Sequence, residues 1–181
     1  MRKRRTKMIG AKKKAFDTEP RMILLKEPIL MLGMQVETGM KSVFRDVSRL
    51  GKRWQAFKRT GMIPNRKEPW AFVAVSKDHD QLNGRWNYLM GDVVTRVDAV
   101  PSGFASFAIP AGRYAVFTLR PPNRFAWGMT IGMAKRYIYA EWFPNSGFKP
   151  DSAISDFELH DERSTLKRGP SIDLYVAVKE A

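Results

Sequence analysis

The sequence predicts an α+β fold built from two β-α-β-β repeats. Three observations predict it. Apolar residues recur at helical spacing in only two long stretches, Lys41 to Thr60 and Arg124 to Trp142. Short apolar segments bounded by glycine and proline fill most of the remaining chain. The order strand, helix, strand, strand occurs once before Pro101 and once after it. Neither half could bury both faces of its sheet alone, so the halves are expected to pack as one domain. The expected organisation is a basic, disordered tail over residues 1–20 and a single domain over 21–181, with halves of about 22–100 and 101–179.

The elements follow in order. Met22 to Val36 reads as a strand bent at Pro28, with Gly33 breaking its apolar run. In the first helix Val43, Val47, Leu50, Trp54 and Phe57 recur three and four residues apart, while Arg45, Arg49, Lys52, Arg53 and Lys58 take other faces. Gly61 is the expected C-terminal cap, and Pro64 prevents continuation. Trp70 to Ser76 reads as a short strand, Lys77 to Arg85 as a polar turn, and Trp86 to Val97 as the partner strand. Phe104 to Ile109 and Arg113 to Leu119 are strands divided by Pro110-Ala111-Gly112. The second helix, Arg124 to Trp142, carries the stripe Trp127, Ile131, Ala134, Ile138 and Trp142, and Pro144 and Gly147 should end it. Ser155 to Glu162 and Ser171 to Val178 form the last strand pair.

The chain has 181 residues, of which 44% are apolar and 28% charged, as in an ordinary globular protein. It contains no cysteine, which excludes disulfides, thiolate metal sites and a cysteine nucleophile. No stretch approaches the roughly 20 apolar residues needed to span a bilayer, and no signal-peptide apolar run follows the basic start. The expectation is a cytoplasmic protein without membrane insertion. The net charge is +14, but eight of the 32 basic residues lie at positions 2–14, ahead of the first acid, Asp17. Such a tail can meet nucleic acid or another anionic surface through its field.

Catalytic motifs are scarce. There is no phosphate loop, no dinucleotide fingerprint and no nucleophile elbow, so no cofactor is expected. His79, between Asp78 and Asp80, and His160 are the only histidines. Three adjacent residues on an extended strand cannot all face one ion, so no metal site is expected there. The last strand pair carries the polar candidates. In 156–160, Asp156, Glu158 and His160 alternate with Phe157 and Leu159. In 172–178 the aliphatics share one face and Asp173, Tyr175 and Ala177 the other. If the aliphatic face packs on the helices, Glu158, His160 and Tyr175 look out together from the opposite face. A carboxylate among aromatics suits a cationic apolar ligand. Phe72 and Tyr88, on adjacent strands, are further pocket candidates.

Several local patterns then line up in one order: Trp54-Gln55-Ala56-Phe57, Met62-Ile63-Pro64, Trp86 to Val94, Val100 to Phe104, Phe107 to Phe117, Glu141 to Phe148, and Asp156-Phe157-Glu158. Together they resemble the gyrase-inhibitor-like, or bacterial transcription-activator effector-binding, family, over about residues 22–179. The resemblance implies repeats related by a pseudo-twofold axis, antiparallel sheets with two main helices, and a ligand groove between the halves. It implies a stand-alone module that senses or sequesters lipophilic, cationic or aromatic compounds, with Glu158 as anchor. Trp54, Phe72, Tyr88, Tyr175 and Trp142 are the expected walls, and Met90, Met129 and Met133 could partly fill the groove. A buried, unpaired Glu158 should, without ligand, have a raised pKa or keep water. Other relatives hydrolyse electrophilic cyclopropane-containing compounds with a pocket glutamate and an aromatic, which here would be Glu158 and Tyr88. Others act as regulators, and nucleic acid or gyrase would then be met through the tail. This chain departs from the pattern at His160, where the family often has tyrosine, and at Phe72-Val73-Ala74-Val75.

Overall fold

Nine strands and two main helices alternate along the chain in the computed structural model, which describes residues 15–67, 72–80, 82–123, 125–152 and 156–181. Residues 2–14 of the basic tail, and the expected element starts at Trp70, Arg124 and Ser155, lie outside the described residues. The elements are β1 (Arg21–Leu25), β2 (Ile29–Gly39), α1 (Val43–Thr60), β3 (Phe72–Asp80), β4 (Arg85–Val93), β5 (Ala105–Ile109) and β6 (Gly112–Leu119). After these come α2 (Trp127–Tyr137), a π turn (Ile138–Trp142), α3 (Phe143–Ser146), β7 (Phe148–Pro150), β8 (Phe157–His160), a 3-10 turn (Glu162–Thr165) and β9 (Ile172–Glu180). No described helix is long and apolar enough to cross a membrane.

Two prolines build the architecture. Pro28 and Pro110 cannot donate to a ladder, and each interrupts an extended segment. The pieces on either side of each proline join different halves of one sheet. β1 pairs with β6, and β5 pairs with β2, so each half lends a strand to the other. The sheet order is β1-β6-β9-β8-β3-β4-β2-β5, antiparallel throughout. It reads as two equivalent halves that meet at the β8–β3 seam, which is the duplication expected from the sequence.

The curled sheet carries different cores on its two faces. Trp54 and Leu50 of α1 pack on Leu32, Ala74, Tyr88 and Met90 in one half. Ala134 and Ile138 of the second helical segment pack on Phe117, Leu174 and Val176 in the other. The opposite face holds a single shared core that includes Met31, Val73, Leu89, Tyr114, Val116 and Phe157. The helix face therefore has two cores with the seam between them.

The strand continues past Gly33 as expected, with Gly33 directly opposite Gly91, and runs on to Gly39. Two departures from the sequence reading have physical reasons. The segment 77–80 is strand and not turn, since β3 keeps pairing with β4 past a bulge between Lys77 and Asp80. Pro144 does not stop the second helical segment. The π turn hands the Phe143 N–H to the Ile138 carbonyl, and Pro144 then sits in the first turn of α3, where a missing N–H costs little. Termination comes at Gly147, in the left-handed conformation at φ 72°. Gly61 does cap α1, but with extended backbone. Its hydrogen atom is needed because a Cβ would lie 2.2 Å from the Phe57 ring.

Candidate functional site

Pairing register decides where the polar residues of the last strands point. Glu158 lies opposite Leu174 across β8 and β9, and directly opposite residues share a face. Leu174 and Val176 pack on the α2 side, so Glu158 and His160 face the helices as well. Tyr175 is opposite Phe157 and points the other way, where the two rings stack 4.3 Å apart. The expectation that Glu158, His160 and Tyr175 share one face is therefore corrected. A shift of one residue in register exchanges the faces, and the register is set by tertiary pairing.

On the helix face, above the seam, lies a cavity of about 540 Å³. From the first half, α1 contributes Val47, Gly51, Trp54, Gln55 and Lys58, β3 contributes Phe72, and β4 contributes Tyr88 and Met90. From the second, α2 contributes Trp127, Gly128 and Ile131, β8 contributes Glu158 and His160, and the 3-10 turn contributes Ser164 and Thr165. The groove between halves is thus a cavity roofed by both helices. Gly51 keeps it wide. Glycine costs a helix interior about 1 kcal/mol relative to alanine, yet a Cβ at Gly51 would meet nothing within 4 Å.

Glu158 is 6% exposed and forms the polar centre of this cavity. One carboxylate oxygen accepts hydrogen bonds from the Tyr88 hydroxyl at 3.2 Å and, where Nε2 carries the proton, from His160 at 3.2 Å. His160 lies opposite Phe72 across the seam, with the rings stacked 3.9 Å apart, and Trp127 approaches from α2 at 5.8 Å. Burial pushes the Glu158 carboxyl up, but the His160 hydrogen bond and charge, the Lys135 charge and the Tyr88 hydrogen bond together hold it below the usual glutamate range. The raised value expected for an unpaired buried glutamate is overturned because the residue is paired. Burial, together with the Glu158 charge and hydrogen bond, drives the Tyr88 phenol well above its ordinary pKa, so it remains a hydrogen-bond donor. Nearby, Lys58 is salt-bridged to the buried Asp92, and its ammonium lies 5.3 Å over the Trp54 ring.

Five of the residues named from sequence line this cavity: Glu158, His160, Tyr88, Trp54 and Phe72. Met90, one of the three methionines expected to fill it, lines it too. Three candidates lie elsewhere. Tyr175 faces the second cavity, about 630 Å³, on the opposite side of the sheet, where its companions are chiefly hydrocarbon. Trp142 packs edge-to-face on Phe117 at 5.3 Å and belongs to the second helical core. Met129 is 59% exposed and, like Met133, outside the lining. Sequence reasoning named neither Trp127 nor Ile131 as a pocket residue, and took only Trp142 from the stripe of the second helix. Gly128 and Gly51, one on each helix, were the available signal. Among the described residues no His, Asp and Glu cluster has the arrangement of a metal site, and His79 stacks on Trp86 at 6.0 Å.

The lowered pKa of Glu158 has a testable cause. His160→Phe keeps the stack on Phe72 but removes the donor and its charge. Burial should then prevail, and the Glu158 pKa should rise above the ordinary glutamate value. A carboxyl ¹³C titration, with the resonance identified by its loss in Glu158→Gln, reads this directly. An unmoved pKa would mean that His160 is not what holds the carboxylate ionised. The linkage follows in sign. A depressed folded-state pKa adds stability above the ordinary value of 4.5, which is lost as pH falls through the folded value.

Comparison with known proteins gives a consistent picture. A family model described as an integron-associated effector binding protein matches residues 23–178. The transcriptional regulator BrlR of Pseudomonas aeruginosa is 29% identical over 132 residues, covering 71% of this chain and 46% of that protein. The chain therefore spans about half the length of that relative. Among solved structures, SAV2435 bound to tetraphenylphosphonium is similar with a TM-score of 0.69 at 12% identity, over 90% of this chain and 94% of that one. The integron cassette protein VCH_CASS2 from the mobile metagenome of Vibrio cholerae gives a TM-score of 0.62 at 12% identity, over 92% of this chain and 100% of that one. At these identities the structural likeness is one of fold.

Proposed function

The chain belongs to the integron-associated effector-binding family, a gyrase-inhibitor-like group, and we propose that it binds lipophilic aromatic cations in the helix-face cavity. One observation carries the reading: a buried, ionised carboxylate, Glu158, at the centre of an apolar and aromatic cavity shared by both halves. Three further points support it. The cavity wall already holds a cation of the protein itself, with the Lys58 ammonium over the Trp54 ring. Gly51 preserves volume where a side chain would fit. SAV2435, which shares the fold, is bound to a tetraphenyl cation. In the host such a module would sense or sequester toxic compounds.

The test uses two probes of one shape and opposite charge. Trp54 and Trp127 line the cavity, so tryptophan fluorescence should report tetraphenylphosphonium binding, while tetraphenylborate should leave the signal unchanged. Equal binding of both would mean that charge is not read. Binding of neither would remove the cation reading. A second reading, hydrolysis of an electrophilic small molecule, rests on Tyr88 and His160 meeting the same Glu158 oxygen, an arrangement that could orient water for general-base attack. Product formation that is lost in Glu158→Gln would favour it.

A further inference from the structure

Buried polar side chains in folded proteins are almost always hydrogen-bonded, and each exception calls for a cause. Among the described residues one buried side-chain nitrogen or oxygen has no partner from the protein: the indole nitrogen of Trp54. Trp54 is 2% exposed. Packing accounts for the ring, which sits in the core with Leu50, Leu32, Ala74, Tyr88 and Met90, but not for its donor. The Phe57 ring at 6.0 Å and the Lys58 ammonium meet the π system and leave the N–H unmet. The same residue lines the cavity that holds Glu158.

We propose that Trp54 is a second polar anchor of this cavity, donating its indole N–H to an acceptor atom carried by the ligand. The proposal rests on the cation reading above and narrows it. The two anchors have fixed and opposite polarity. An ionised carboxylate only accepts, and an indole N–H only donates. They come from different halves, Trp54 from α1 and Glu158 from β8, so one ligand engaging both spans the seam. The ligand class is an aromatic cation that also bears a carbonyl, ether or similar oxygen. A purely hydrocarbon cation such as tetraphenylphosphonium satisfies Glu158 alone.

The experiment compares trimethyl(4-phenylbutyl)ammonium with its 4-oxo analogue, which differs by one carbonyl oxygen, by calorimetric titration of wild type and Trp54→Phe. The affinity ratio of the oxo probe to its parent should fall about tenfold on going from wild type to the variant, because the carbonyl is then buried without a donor. The parent probe is the internal reference, because any loss of cavity wall in the variant acts on both probes and cancels in the ratio. In intact wild type, the indole proton of Trp54 should move downfield with the oxo probe and stay in place with the parent. This reading holds even if the variant folds poorly. An unchanged ratio, or an unmoved indole proton, overturns the proposal. Binding of tetraphenylphosphonium but of neither ammonium probe overturns it while sparing the cation reading. Failure of all three removes both.

Discussion

Glu158→Gln is expected to weaken tetraphenylphosphonium binding by about 10- to 100-fold. A charge-assisted contact is worth about 1.5–3 kcal/mol, and 1.4 kcal/mol is a factor of ten. Glutamine keeps the shape of the side chain and an oxygen that accepts from Tyr88 and His160, so the cavity wall should stay intact. What disappears is the negative charge, and with it the part of the affinity that distinguishes a cation from a neutral ring system. Triphenylphosphine oxide, uncharged and of similar bulk, should therefore lose less than about twofold, as expected for a nearly isosteric wall. Fluorescence titration of both compounds against wild type and variant, at a pH where Glu158 is ionised, separates the outcomes. Equal losses for the two compounds would point to altered packing. No loss for the cation would remove Glu158 from the site and leave the apolar walls as the whole basis of binding.

Much of this site was readable in the sequence, and the misses have a common origin. Local periodicity located α1 and its inward stripe, including Trp54, because a helix face is fixed by residues three and four apart. Alternation correctly separated Glu158 and His160 from Phe157 and Leu159. It could not say which side of the sheet would receive the helices. That depends on Glu158 pairing with Leu174 and Tyr175 with Phe157, which are register facts between strands, and so Tyr175 was assigned to the wrong face. Trp142 was misplaced for a related reason. It shares a helical stripe with Trp127, but the π turn and α3 carry it over Phe117, away from the seam. The pairing of Glu158 with His160 was foreseeable as two ionisable groups two residues apart on one strand. Its consequence, a lowered pKa in spite of burial, needed the geometry.

Gly33→Ala is expected to cost about 3 kcal/mol or more, at the upper end of what overpacking does. The reason is the approach of two backbones. Gly33 of β2 and Gly91 of β4 are directly opposed, and a Cβ built on Gly33 would lie 2.0 Å from the Met90 carbonyl oxygen and 2.4 Å from the Gly91 Cα. On Gly91 it would lie 2.4 Å from the Leu32 carbonyl oxygen. A flexible side chain could swing aside, but these are main-chain atoms held in the ladder. Their neighbours Met31, Leu32, Met90 and Asp92 are all buried, so the strands cannot part without disturbing both faces of the sheet. Gly51→Ala is the internal contrast. There a Cβ meets nothing within 4 Å, and alanine favours the helix by about 0.5–1 kcal/mol, so the same substitution should stabilise. Urea denaturation of the two variants should give shifts of opposite sign, large for Gly33 and small for Gly51. A Gly33→Ala protein within about 1 kcal/mol of wild type, the usual scale of a tolerated substitution, would show that β2 and β4 can separate at little cost. Such separation would also disturb the site, because β4 carries Tyr88, which bonds Glu158, and Met90, which lines the same cavity.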